Sequence, residues 1–256
     1  MAIFLAHFPS SLQLRDSATG EGGVDARVTQ KVPYFSQWET PDMTLAVVAE
    51  GAQSALLKDP LWASSGAGSV EDYARWAGNL CGMACLKMVL ATRTGKAVPI
   101  MDLAMGCRDY GGYVEEADGR IKGLIYAPFV PFVKDHFDLN ARIVTGISVA
   151  DIADILAQSE FFIASVHHSI RWPETEPPAK GGHLVLVTAA DGSTIRFHNP
   201  SGHIDATREN AEMPLETFER FFAGRGIAID GQRSRRSIAI PLKAGIRPEP
   251  ADSACR

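Results

Sequence analysis

The run NLCGMACLKMVLATRTG, residues 79–95, constrains the fold of this chain more than any other stretch. From Cys81 onward, Ala84, Cys85, Met88 and Val89 recur at offsets of three, four, seven and eight, which places them on one face of an α-helix. The helix is mostly apolar, so the chain must build its core around it, and Gly95 is placed to end it. Cys81 heads the buried stripe. Three readings are open for it: a small core residue, a metal ligand, or a nucleophile at the positive end of the helix dipole, where thiolate is favoured.

The segments around this helix read in order. Residues 1–30 form an N-terminal extension with an apolar start, a possible edge strand, and a loose glycine-containing loop. KVPYFSQWETPDM, with its two prolines bracketing aromatics, reads as extended. Helical spacing covers 44–57, and 69–78 reads as a turn or short helix. Further helices are expected near 98–106, 126–138 and 148–158, the last with Ser148 as N-cap. Strands are expected at ARIVT, at FFIASVHHS (161–169), at HLVLVTAA and STIRFHNP, and at GIAI and RRSIAIPL. A helix is expected over 214–223, and 246–256 reads as a disordered tail. Helices precede antiparallel strands, so the fold class is α+β.

Composition excludes several functions. The net charge of −5 and the absence of clustered Lys and Arg argue against nucleic acid; Arg233, Arg235 and Arg236 read as a solvated turn. No apolar run reaches the ~18 residues of a spanning helix, so no membrane association is expected. MAIFLAHFPS lacks a basic n-region, and cysteines at 81, 85, 107 and 255 make no disulfide framework. The expectation is a cytoplasmic protein with reduced thiols.

A nucleophilic Cys81 needs a base, and the base needs an orienting partner. His183 follows Gly181-Gly182 and opens the apolar strand Leu184–Val187, a position from which it can point into a cleft. If Ala190-Asp191-Gly192 is a three-residue hairpin loop, Ala189 pairs with Ser193 and His183 falls opposite Asn199. Cross-strand partners share a face, so the Asn199 amide could hold the imidazole. A two-residue Asp-Gly turn would put Asn199 on the other face, so the pairing requires the three-residue loop or an equivalent bulge. A zinc site from His167, His183, His198 or His203 with a cysteine lacks familiar spacing; no metal and no cofactor are expected.

VPYFSQ (32–37), NLCGMACLKMVLA (79–91), GGHLVLVTAADG (181–192) and IRFHNPSG (195–202) together resemble the double-glycine-leader (bacteriocin-processing) peptidase family, especially its stand-alone relatives. The resemblance spans about residues 31–230. It implies a papain-like cysteine peptidase fold over 31–245, with a central helix headed by Cys81 packed on a C-terminal antiparallel sheet. It also implies Cys81 as nucleophile, His183 as base and then acid, and Asn199 as orienter. Gln37 and the Cys81 N–H would form the oxyanion hole. Asn199 stands where the family often has Asp. The long stretch between Gln37 and Cys81 reads as a helical insertion over about 42–76, near the cleft. Trp38, Gly82, Gly182, His168 and Trp172 flank the motifs and are expected to line the substrate site.

The resulting expectation is a cysteine peptidase or amidase acting on a peptide or amide substrate through a thioester acyl-enzyme. Two alternatives share the site: an acyltransferase passing the acyl group to an amine or thiol, and a catalytically silent peptide-binding module.

Overall fold

The central helix forms where its spacing predicts. The computed structural model describes residues 31–231, and in it α4 runs Cys81–Thr94, with Gly95 ending it in the left-handed region at φ 70. Leu-, Met- and Ala-rich faces leave nearly every residue of α4 buried, including Lys87, whose ammonium faces Glu39 at 3.6 Å and lies over the Phe35 ring. At its C-terminal end Arg93 forks onto Glu160, with N···O distances of 3.0 and 2.6 Å.

Before α4 come α1 (Thr44–Glu50), α2 (Ala52–Leu56) and α3 (Val70–Ala77). The periodicity over 44–57 suggests one helix, but Gly51 at φ 84 splits it in two. Ser69 caps α3 by accepting from the Asp72 N–H. These helices close on their own small core of Trp38, Leu56, Tyr73, Ala74 and Ala77. Buried Asp59 anchors it, accepting from Tyr73 Oη at 2.5 Å and from Thr40 Oγ1 and N. The stretch expected to be a helical insertion is thus helical.

After α4 follow α5 (Ile100–Asp109) and α6 (Tyr126–Phe137). The sheet elements then come in the order β1 (Ala141–Thr145), α7 (Asp151–Gln158), β2 (Phe161–Val166), β3 (His183–Ala190), β4 (Thr194–His198), β5 (Ala211–Pro214), α8 (Leu215–Phe221) and β6 (Phe222–Ile229). The strands make one antiparallel sheet in the order β1-β6-β2-β3-β4-β5. Alternation along the strands divides the core. Phe161, Ile163, Leu184, Leu186, Ile227 and Ile229 pack with α4, α5 and α6. Phe162, Ala164, Val185, Val187 and Ala228 pack with α7 and α8 on the other face. This is the α+β arrangement expected, a helical N-terminal part whose Cys81-headed helix lies on an antiparallel sheet.

Three local expectations are corrected. Ser148 does not cap α7; its N–H and hydroxyl donate to Asp151 Oδ2 at 2.7 Å each, one turn ahead of the helix. The apolar run at 161–169 leaves the sheet after Val166 and becomes a 3-10 turn at His168–Arg171. β5 has no counterpart among the expected strands, because its buried–exposed alternation lasts only four residues and ends in proline. The N-terminal extension, the RRSIAIPL strand, Arg233, Arg235, Arg236, Cys255 and the 246–256 tail lie outside the described residues. The compact unit that holds all these elements begins at Val32.

Candidate active site

Cys81 is the first residue of α4, and Leu80 before it supplies no side-chain cap. The first-turn N–H groups are therefore free to face the sulfur, and those of Gly82 and Cys81 itself do so, together with the backbone N–H of Leu184 on β3. Burial nevertheless outweighs these donors and pushes the thiol up to about 11. This rise opposes the helix dipole's pull toward thiolate. Cys85 and Cys107 are enclosed in the core, and burial raises both.

Leu184 follows His183 directly, so the contact between its N–H and the thiol ties the start of β3 to the start of α4. His183 enters β3 from Gly181 and Gly182, both left-handed at φ 88 and 91, a conformation that glycine adopts without strain. On β2 its partner is Val166.

The β3–β4 hairpin differs from the expected loop but keeps its consequence. Asp191 N–H donates to Thr194 O at 3.1 Å, and Asp191 Oδ1 accepts from the Ser193 and Thr194 N–H groups at 2.8 Å each. Beside this turn Ala190 pairs with Ile195 and Ala189 with Arg196; a bulge between Val187 and Ala189 then shifts the register to Val187 with Phe197 and Leu186 with His198. Continued past β4, that register sets Asn199 beside Val185, on the face of His183 but two residues along it. The bulge is the equivalent device that the pairing requires, and direct opposition is replaced by a diagonal contact.

His183 Nε2 lies 2.9 Å from Asn199 Oδ1. The backbone N–H of Ser201 points at the same Oδ1 at 3.1 Å, and a backbone N–H can only donate. The atom it meets must therefore be the amide oxygen, which can only accept. It follows that Nε2 carries the imidazole proton and that Nδ1 holds the lone pair. Ser201 Oγ adds a second contact to Nε2 at 3.1 Å. Burial holds His183 down to about 3, assisted by the nearby Arg171 charge and opposed by the Asn199 hydrogen bond. At neutral pH the imidazole is uncharged.

The turn that carries Asn199 is closed by Gly202 N–H donating to Asn199 O at 3.1 Å, and the 34–37 segment clasps it. Tyr34 Oη donates to Asn199 O at 3.1 Å, and Ser36 Oγ to Pro200 O at 2.9 Å. The Gln37 N–H also donates to Pro200 O, at 3.0 Å. Gln37 is buried, and its Nε2 donates to Ala77 O and Gly78 O at 3.2 and 3.1 Å, just ahead of Cys81. Two carbonyl partners require the nitrogen at that position. Its Oε1 has no hydrogen-bond partner among the described residues.

Two cavities share Cys81, Gly123, Gly182 and His183. The larger, about 460 Å³, is completed by Leu124, Tyr126, Ser165, Leu184 and Arg225. The smaller, about 220 Å³, runs toward Gln37, Trp38, Asn79, His168 and Arg171. Of the residues expected to line substrate, Gly182, Trp38 and His168 do line these cavities. Gly82 instead packs inside α4, where an added Cβ would meet Leu124 Cδ2 at 2.6 Å. Trp172 lines neither cavity; its ring packs against His203 and lies under the Arg171 guanidinium. Sequence reasoning missed Ser201, Arg171 and Leu184. The first had a legible signal, since Asn-Pro-Ser lets an Asn side chain accept from the N–H two residues on.

Among the described residues no cluster of three or more His, Cys, Asp and Glu is arranged to hold a metal. His198 is fully engaged, with Nε2 3.1 Å from Val32 O and Nδ1 accepting from the Asn210 N–H. No described helix is long and apolar enough to cross a membrane.

No family model matches the chain, and no curated protein does. Among solved structures it is similar to the peptidase domain of Streptococcus ComA, a bi-functional ABC transporter involved in a quorum-sensing pathway. That match has 18% identity and a TM-score of 0.42, covering 60% of this chain and 93% of that one. A double-glycine-motif protease from an AMS/PCAT transporter, solved with the leader peptide, is similar at 17% identity and a TM-score of 0.40, covering 58% of this chain and 82% of that one. A protein described as a C39-like peptidase, from Bacillus anthracis, is similar at 16% identity and a TM-score of 0.44, covering 60% and 90%. The likeness of this chain to these peptidase domains is one of fold.

Proposed function

We propose that the protein is a cysteine hydrolase that cleaves a peptide or amide bond through a thioester acyl-enzyme. The observation that carries this reading is the tautomer of His183. With Nε2–H committed to Asn199, the basic Nδ1 is the only ring atom left to take a proton, in a cavity that Cys81 also lines. Both groups are neutral at rest, so the thiol proton passes to Nδ1 as the sulfur attacks the carbonyl carbon, and no preformed ion pair is needed. The Asn199 carbonyl stabilises the imidazolium that forms.

The tetrahedral oxyanion would be held by the Cys81 N–H and by Gln37 Nε2, which exchanges one of its carbonyl partners for the oxyanion. Collapse breaks the C–N bond, and Nδ1–H protonates the departing amine. Water, deprotonated by the same nitrogen, then attacks the thioester and releases the acid with the thiol restored.

A peptide and amide library read for new acid and amine tests the proposal. Cys81→Ala should abolish turnover and His183→Ala should lower it roughly 10²- to 10⁴-fold, both keeping the fold by circular dichroism. Alkylation of Cys81 by iodoacetamide near neutral pH should depend on His183. Turnover that survives Cys81→Ala would end this reading.

A further inference from the structure

Arg171 is 6% exposed, and no carboxylate among the described residues pairs with it. Its Nε donates to His168 O at 2.9 Å, its Nη2 to Ser201 Oγ at 2.8 Å, and the Trp172 ring lies 5.3 Å from its guanidinium carbon. The remaining N–H bonds, including both on Nη1, have no acceptor among the described residues. Other strongly buried cations have counter-charges: Lys87 faces Glu39 at 3.6 Å, and Arg93 faces Glu160 at 2.6 Å. A guanidinium stays charged and offers its donors in a planar fork, and enclosing it without a counter-charge is costly. Arg171 lines the smaller cavity with Cys81 and His183, and no Asp or Glu lines that cavity. Arg225, on the larger cavity, is exposed, so water serves its charge.

The geometry points to a carboxylate on the substrate, bound by Arg171 on the Gln37–Trp38 flank of the bond that Cys81 attacks. The inference rests on the cysteine hydrolase reading and narrows its substrates to acid-bearing peptides or amides. Trp172 has a place in it, as the ring that holds the guanidinium plane. The fork suits a carboxylate, which accepts two parallel N–H bonds.

The test uses thiol-directed probes on the full chain. N-iodoacetyl-glycine, N-iodoacetyl-β-alanine and N-iodoacetyl-γ-aminobutyrate are each compared with the corresponding terminal amide, and alkylation of Cys81 is followed by mass spectrometry. Rates are divided by those of the same reagents with glutathione. In the wild-type protein the acid of at least one length should react about 10-fold faster than its amide, and saturably, the size expected of a charge-assisted fork. Arg171→Gln should bring that ratio to about one, whatever it does to either absolute rate. Arg171→Lys, which keeps the charge, should retain a preference, and it serves if the glutamine variant does not fold. If Arg171 only braces Ser201, acid and amide will slow together and the ratio will hold, which overturns the inference. Equal rates for acid and amide at every length in the wild-type protein overturn it too, with the hydrolase reading intact. Failure of every probe to alkylate Cys81 would remove the hydrolase reading, and this inference with it.

Discussion

A single proton decides what His183 can do. The Ser201 N–H fixes the orientation of the Asn199 amide, the amide fixes the protonated ring nitrogen, and the other nitrogen is left as base. Asn199→Ala should therefore lower kcat more than KM, because the imidazole then samples the wrong tautomer, and steady-state kinetics will read the split. His183→Ala removes the base itself and should cost roughly 10²- to 10⁴-fold in kcat. The pH profile follows from the two shifts. His183, held near 3, and Cys81, raised to about 11, both keep their resting protonation across neutrality. kcat/KM should thus run level from about pH 5 to 8, and an acid limb near the ordinary imidazole value would reveal a solvated ring. The sequence points to Cys81, His183 and Asn199 through chain order and local context. It cannot show the thiol's raised value, because desolvation depends on what packs over the sulfur.

At the scale of elements, the 199–202 turn is the part that positions the site, and Gly202 is the residue it can least exchange. A Cβ there would stand 2.1 Å from Thr207 O, which is backbone and has little room to retreat. Gly202→Ala should destabilise the protein by about 1–3 kcal/mol, seen as a lower melting temperature, and should also reduce kcat by disturbing Asn199. Helix α4 is legible in the sequence because its apolar stripe is continuous and a glycine ends it. The hairpin is legible only in part. Asp-Gly signals a turn, but the Asp191 side chain collects the Ser193 and Thr194 N–H groups and closes a tighter turn than expected. The bulge near Thr188 then restores the face, and nothing in HLVLVTAA marks a bulge. Arg171 escapes a sequence reading because a lone arginine in a loop looks solvated until its burial is known.

For the whole molecule, acid is the expected weakness. Burial lowers His183 to about 3 and also lowers His167, His168 and His198. The unfolded chain takes up these protons from about pH 6.5 downward, while the folded chain resists, so stability is fullest above that value and falls as pH drops toward 3. Denaturant titrations across that window should show it, and His183→Gln should flatten part of the slope. Chain connectivity adds one more consequence through Gln37. Its main-chain N–H is fastened to Pro200 on the strand side and its side-chain amide to the Ala77–Gly78 peptides on the helix side, so one residue rivets both banks of the cleft. A protease nick in the loop between Lys58 and Ser69 should therefore leave two fragments that still migrate together under native conditions. Gln37→Glu, which cannot donate to both carbonyls, should lower the denaturant concentration at which the nicked pieces separate.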